Sequence, residues 1–161
     1  MNLLQKLEEH TVDELIGCPK RIVSKEPVSG FKRDEQHFRA ELKLEAEGFD
    51  AHFRLFIRRH VEFENNFSIG LDYKGKLGDV PLVRYNGPHK TSEDEVSSAH
   101  YNFHIHTQAD LESTKSLMSK TTVTDKYGSY SEALHHASKD LNILNFEEFF
   151  PHETQLNLFE D

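Results

Sequence analysis

The sequence is short of the residues and motifs on which several classes of protein depend. Its single cysteine, Cys18, cannot form an internal disulfide or a Cys-x-x-Cys metal pair. It precedes a proline at the predicted end of a helix, which favours a structural role. No apolar run approaches the length of a membrane span, and the amino terminus becomes charged too early for a secretion signal. These absences predict a cytoplasmic protein that does not enter a membrane.

Familiar nucleotide-binding and hydrolase motifs are also missing. The sequence contains no Gly-x-x-x-x-Gly-Lys-Ser/Thr loop, no Gly-x-Gly-x-x-Gly after a strand and no Gly-x-Ser-x-Gly. Positive charge is scarce, because 19 lysines and arginines stand against 28 aspartates and glutamates, for a net charge of −9. Nonspecific nucleic-acid binding depends on phosphate contacts from lysine and arginine, so strong direct binding to nucleic acid is not expected.

Alternation of apolar and polar residues predicts a β-hairpin in the first half of the chain. Apolar residues occupy every second position over residues 38–46 and again over residues 49–57, on either side of a glycine. Period-two alternation around a glycine-containing turn is typical of two antiparallel strands with one buried face. A two-residue loop at positions 47–48 places Glu41 opposite Arg54, and their opposite charges support that register.

The rest of the chain completes a predicted α+β fold. Further strands are predicted over residues 67–73, 80–85 and 101–105, with a short one over 121–126. Helices are predicted over residues 2–16 with a restart at Thr11, over 109–119 and over 130–141. Consecutive strands with short links predict an antiparallel β-meander of about five strands, with helices packed on one face. We expect residues 1–150 to form this single domain and residues 151–161 a flexible tail.

A His-x-His pair lies on the predicted fifth strand. If the aromatic residues of that strand point inward, His104 and His106 share the opposite face, close enough to bind one metal ion or phosphate. His89 joins them if the loop over residues 87–99 folds across the sheet, and Arg84 on the preceding strand is a candidate phosphate contact. Three interpretations stay open: a solvated strand face, a phosphate contact, or a site for a divalent metal such as zinc or manganese.

The same region resembles a loosely defined family of small bacterial and mobile-element proteins. The resemblance rests on the Arg-Tyr-Asn-Gly segment at residues 84–87, on His89, and on the His-x-His strand at residues 104–106. It extends through a tyrosine-containing turn and a helix, over about residues 80–143. The family has no established activity, so the resemblance implies a grouping and no mechanism.

The tail carries the most informative motif. Gln155, Leu156, Leu158 and Phe159 follow a proline in an otherwise polar, acidic segment. Apolar side chains on a short terminal segment are typical of anchors that become ordered on a partner. The Gln-Leu-x-Leu-Phe pattern resembles the peptide by which bacterial DNA polymerases and repair proteins dock on the replicative sliding clamp. All four defining positions match, although a last strand or turn folded onto the core is the alternative interpretation.

These motifs together predict a small protein of bacterial, phage or mobile-element origin that docks on the sliding clamp, as an adaptor or an inhibitor. The resemblance implies that Leu158 and Phe159 fill an apolar cleft while Gln155 bonds at its rim. One alternative is a metal- or histidine-dependent phosphodiesterase or nuclease, with a candidate set of Arg84, His89, His104 and His106. Another is an acidic inhibitor that mimics DNA, which the net charge suggests.

Overall fold

The computed structural model describes residues 2–24, 32–33, 36–88, 102–107 and 122–150. Their strands are β1 (Lys20–Ile22), β2 (Lys32–Arg33), β3 (His37–Ala46), β4 (His52–His60), β5 (Phe67–Gly75), β6 (Gly78–Asn86), β7 (His104–Thr107) and β8 (Thr122–Val123). Their helices are α1 (Leu3–Lys6), α2 (Val12–Gly17), α3 (Tyr130–Asp140) and α4 (Phe146–Phe149). The α+β prediction is confirmed, and six of these strands have three or more residues, where about five strands were expected.

One antiparallel sheet contains all of the described strands. Strands β3 to β8 follow one another as a meander, because each pairs with the next strand along the chain. The outer edge of β3 is shared by two short strands: β1 pairs with residues 44–46 and β2 with residues 38–39. The predicted meander is therefore confirmed, and its first long strand has a neighbour on both sides.

The hairpin of β3 and β4 lies where the alternation predicted, but its register differs by two residues. Lys43 is the partner of Arg54, and Glu41 is the partner of Phe56. The difference arises because the connecting loop has five residues instead of two. A shift of two residues leaves every side chain on its predicted face of the sheet. Glu41 still forms an ion pair with Arg54, now along a diagonal.

The predicted inner face of the sheet is the core. Its buried strand residues include Leu42, Leu44, Phe53, Leu55, Ile57, Phe67, Ile69, Leu71, Tyr73, Val80, Val83 and Tyr85. Phe38 and Ala46, near the two ends of β3, are only half-buried, and Phe49 lies in the hairpin loop and is exposed. Burial of about ten large apolar side chains on one face, each contributing roughly 1.5–3 kcal/mol, is what drives the helices onto it.

The helices pack on this apolar face, as predicted. The ring of Phe67 on β5 lies 5.6 Å from the ring of Tyr130 on α3. At the other end of α3, the hydroxyl of Tyr85 donates a hydrogen bond to Asp140. The helices therefore leave the opposite face of the sheet for other side chains.

The predicted amino-terminal helix is divided into α1 and α2. The chain leaves the helical conformation where Glu8 and Glu9 adopt φ angles of 52° and 72°. It re-enters a helix after Thr11, whose side chain accepts a hydrogen bond from the backbone of Glu14 at 3.1 Å. The predicted restart at Thr11 is confirmed. Residues 109–119, where another helix was predicted, lie outside the described residues.

Lys20 joins the carboxyl ends of α2 and α3. Its side chain is fully buried, and its Nζ donates to the carbonyl oxygens of Ile16, Cys18 and Leu141 at 2.6, 2.9 and 2.8 Å. Carbonyls at the end of a helix lack intrahelical partners, and the helix dipole favours a cation there. Burial lowers the pKa of Lys20 to about 8, so the ammonium form predominates at neutral pH.

Within the described ranges, no helix combines the length and the apolar composition that a membrane crossing requires. The longest of these helices, α3, has 11 residues.

Candidate functional site: an arginine-rich face of the sheet

The face of the sheet opposite the helices carries polar and charged side chains. Successive strand residues point to opposite faces, so the residues between the core positions share this second face. One row of cross-strand neighbours runs through Glu41, Phe56, Gly70, Arg84 and His106. The next row runs through Arg39, Arg58, Ser68, Asn86 and His104. These two rows, with the neighbouring pair Arg54 and Asp72, are named here the arginine face.

The arginine face is positive, although the protein as a whole is acidic. Among its residues four arginines stand against two carboxylates. Both carboxylates are bound by Arg54, which donates to Asp72 Oδ2 from Nε at 3.1 Å and from Nη2 at 2.7 Å, and to Glu41 from Nη1. The arginine face therefore concentrates positive charge on a chain of net charge −9.

Arg84 lies at the centre of the arginine face. It is half-buried on β6, between its register partners Gly70 on β5 and His106 on β7. Burial lowers the pKa of its guanidinium, while the charge of Asp72 raises it. Its Nε is buried and has no hydrogen-bond partner in the part of the chain that the structure describes. The buried Nε–H therefore carries a desolvation cost that no hydrogen bond within the described residues offsets.

The ring of Phe56 organises the two central arginines. The guanidinium groups of Arg54 and Arg84 lie 5.3 and 5.0 Å from its centre, within the range of cation–π attraction. The ring lies close against β5 because its neighbour there is Gly70. A Cβ at Gly70 would stand 2.2 Å from Phe56 Cε1, so a larger residue would force the ring away. Gly70 thus permits the arrangement of both arginines.

A groove of about 380 Å³ opens on the arginine face. All four arginines and Ser68 contribute to its lining. Arg58 Nη2 donates to Ser68 Oγ at 3.3 Å, and Ser68 Oγ donates to Asn86 Oδ1 at 2.6 Å, so this chain of bonds orients Arg58. Sites for small molecules have volumes of roughly 300–1,000 Å³, and guanidinium groups are suited to oxyanions. The groove has the size and the charge of a site for a small anion.

The two histidines share the arginine face, as the alternation predicted. Their ring centres are 5.1 Å apart and their planes are nearly perpendicular. His104 is fully buried, and its Nδ1 lies 2.8 Å from the carbonyl oxygen of Asn102. Its own carbonyl accepts a hydrogen bond from the hydroxyl of Tyr127 at 2.9 Å. His104 therefore has structural contacts, whereas half-buried His106, beside Arg84, is better placed to contact a ligand.

A complete metal site is not found in the described ranges, where no group of three or more His, Cys, Asp and Glu side chains is arranged to hold an ion. Zinc sites in proteins use three or four ligands, and the His-x-His strand supplies two. His89, the predicted third ligand, lies outside the described residues. So do Gln155, Leu156, Leu158 and Phe159 of the tail.

Sequence reasoning named Arg84 and the histidines but missed Arg39, Arg54 and Arg58 as members of one face. A signal for two of them is present in β4, where Arg54 and Arg58 flank Phe56 at a spacing of two residues. Polar residues at alternate positions by themselves indicate only that this face of the sheet is exposed to solvent. An aromatic residue between two arginines on such a face indicates a more specific surface.

Comparison of the sequence with protein-family models and with curated proteins, and of the structure with solved structures, found no match. The functional proposals therefore rest on the residues of this chain and on their geometry.

Arg54→Gln is expected to lower the free energy of unfolding by about 1–3 kcal/mol, because it leaves the carboxylate of Asp72 buried without its two hydrogen bonds. The Asp72 side chain is 7% exposed. Urea unfolding measures the loss. Arg21→Gln is the matched control, since Arg21 pairs with Glu47 but is 53% exposed, and such surface pairs contribute about 0–1 kcal/mol. Equal losses in the two variants would contradict the role assigned to Arg54.

Proposed function

We propose that this protein docks on the replicative sliding clamp of bacteria through Gln155, Leu156, Leu158 and Phe159. The observation that carries the proposal is the match of all four defining positions of the Gln-Leu-x-Leu-Phe peptide within five residues. Leu158 and Phe159 fill the apolar cleft of the clamp, Gln155 forms hydrogen bonds at its rim, and Leu156 adds a further contact.

The energetics of such a peptide support binding of modest affinity. Full burial of Leu158 and Phe159 contributes roughly 1.5–3 kcal/mol for each side chain. Part of that gain is offset by the entropy lost when the segment becomes ordered on its partner. We therefore expect a dissociation constant in the micromolar range, about 1–100 µM, which suits a partner that exchanges with other clamp ligands.

The described residues end at Phe150, next to this segment. In α4 and the residue after it, the rings of Phe146 and Phe150 stack at 4.7 Å and both are buried. In the sequence, the docking peptide begins directly after this packed position, so the domain would stay close to the clamp once the peptide is bound. An acidic domain held there favours an adaptor or an inhibitor over an enzyme that moves along DNA.

A fluorescently labelled peptide of residues 151–161, titrated with purified bacterial clamp, tests the proposal. We expect saturable binding that an unlabelled clamp-binding peptide displaces. The control is the same peptide with alanine in place of Leu158 and Phe159. Absence of binding at about 500 µM clamp would end the proposal, because the dissociation constant would then lie well above the expected range of about 1–100 µM.

A histidine-dependent phosphodiesterase or nuclease is the alternative function. The observation that favours it is the position of His106 directly opposite Arg84, beside a groove lined by arginines. His104 and His106, together with His89, form the candidate ligand set for a zinc or manganese ion, which would activate water for attack on a phosphodiester. Phosphate binding at the arginine face is the first step that such an activity requires.

A further inference from the structure

We propose that the groove on the arginine face binds the phosphate group of a small phosphorylated ligand, with Arg84 as its principal contact. This site is separate from the clamp-docking peptide, and it requires no hydrolytic activity. The ligand class follows from the charge, the burial and the volume of the groove.

Arg84 supplies the strongest observation. It lines the groove and is half-buried, and within the described residues its buried Nε lacks a hydrogen-bond partner. The ring of Phe56 and the charge of Asp72 stabilise its guanidinium in part, but within the described residues neither accepts a hydrogen bond from Nε. A partly desolvated cation of this kind is unfavourable in a protein unless an anion accepts its hydrogen bonds. An oxyanion in the groove would supply that acceptor.

The neighbouring row strengthens the same conclusion. Arg39 on β3 and Arg58 on β4 are direct register partners, so two guanidinium groups lie on adjacent strands of the arginine face. Arg58 is also oriented by its hydrogen bond to Ser68, whose own proton is donated to Asn86. Arg39 and Arg58 both line the groove, so an anion bound there would lie beside further guanidinium groups. A phosphate can bond to several of these groups at once and suits them better than a single carboxylate, because it carries more charge and more acceptor oxygens.

The size of the ligand is limited by volume and by charge. The groove of about 380 Å³ is large enough for a group of the size of a mononucleotide. The net charge of −9 repels a long polyanion, so the local positive patch favours a compact ligand with one phosphate-bearing end. We therefore expect a small molecule in preference to a nucleic-acid strand.

The experiment follows the arginine Nε–Hε signals of the full-length, isotope-labelled protein by NMR. Inorganic phosphate, adenosine 5′-monophosphate and an eight-residue oligothymidylate are added in separate titrations. The Arg84 signal is expected to shift saturably with phosphate and with the nucleotide, and binding should weaken as salt is added. Tighter binding of the nucleotide than of phosphate would identify the ligand as a nucleotide, and equal binding of the two would identify it as free phosphate.

Arg84→Gln is expected to weaken phosphate binding about tenfold or more, since a charge-assisted hydrogen bond is lost. The variant should fold with an unchanged or raised Tm, because it removes a partly buried charge, while the rise in Tm caused by phosphate disappears. Arg84→Lys should bind with intermediate affinity, because lysine keeps the charge and loses the planar fork. Arg21→Gln, an equal change of charge outside the groove, should bind like the wild type.

Two results would overturn the proposal. One is the absence of any Arg84 shift at about 10 mM phosphate or nucleotide, and the other is wild-type binding by the folded Arg84→Gln protein. Preferential binding of the oligothymidylate would overturn the assignment of a small ligand. Titration of the clamp with the same Arg84→Gln protein separates the two proposals, since clamp binding is expected to be unchanged.

Discussion

Replacement of Lys20 by methionine is expected to lower the free energy of unfolding by about 3–5 kcal/mol. Methionine fills a similar volume but leaves the carbonyl oxygens of Ile16, Cys18 and Leu141 without their donor. Buried acceptors that lose a partner cost about 1–3 kcal/mol each. The ammonium also lies 5.1 Å from the ring of Phe53, so one substitution loosens the contact between both helix ends and the sheet.

Urea unfolding at pH 7 measures this loss. Lys74→Met is the matched control, because Lys74 is exposed and forms a surface pair with Asp79 at 3.1 Å across the β5–β6 turn. Its substitution should change the unfolding free energy by about 1 kcal/mol or less. A Lys20→Met protein as stable as this control would show that water replaces the ammonium at the three carbonyls, and that the helix ends do not depend on Lys20.

The same residue makes stability depend on pH in a defined direction. The pKa of Lys20 is lowered from 10.5 to about 8 in the folded protein. Between these values the unfolded chain binds more protons than the folded one, so the wild type gains stability as pH rises through this window. This contribution is complete above pH 10.5 and is lost as pH falls through about 8. The advantage of the wild type over Lys20→Met should therefore grow from pH 7 to pH 9.5, by about 2 kcal/mol.

The hairpin shows which structural features the sequence pattern predicts and which it does not. Alternation correctly predicted the positions of β3 and β4 and the face on which each side chain lies. It could do so because a strand with one buried face has an apolar residue at every second position. The register was wrong because Phe49 continues the alternation into the loop, although its side chain is exposed. The length of the loop depends on turn geometry, and an apolar residue within the loop makes the loop look shorter in the sequence than it is.

The candidate site shows what a linear pattern lacks. Alternation correctly placed His104 and His106 on one face, since both lie on a single strand. The row that joins Phe56, Gly70 and Arg84 depends on the registers between three strands, and no local spacing reveals these registers. Lys20 is the extreme case, because its burial results from the meeting of segments more than 120 residues apart.

The docking role of the tail stays a prediction, since the tail residues lie outside the described ranges. Substitutions in the tail have the largest expected effect on function. In the full-length protein, Leu158→Ala combined with Phe159→Ala is expected to weaken clamp binding at least about 100-fold, because both apolar anchors are truncated. The Tm should stay within about 1 °C of the wild-type value, since anchors for a partner contribute nothing to the stability of the free domain. Calorimetric titration with purified clamp and thermal unfolding measure the two quantities.

The matched control changes two neighbouring positions outside the motif, as Glu153→Ala combined with Thr154→Ala, and should bind the clamp like the wild type. The alternative interpretation, a last strand or turn that folds onto the core, predicts the reverse pattern. Truncation of a buried leucine and a buried phenylalanine would then cost about 2–5 kcal/mol each and lower the Tm by many degrees. The two interpretations assign the same side chains either to a partner or to the core. A loss of stability without any change in clamp binding would therefore reject the docking function. Loss of binding at constant Tm would establish Leu158 and Phe159 as the anchors.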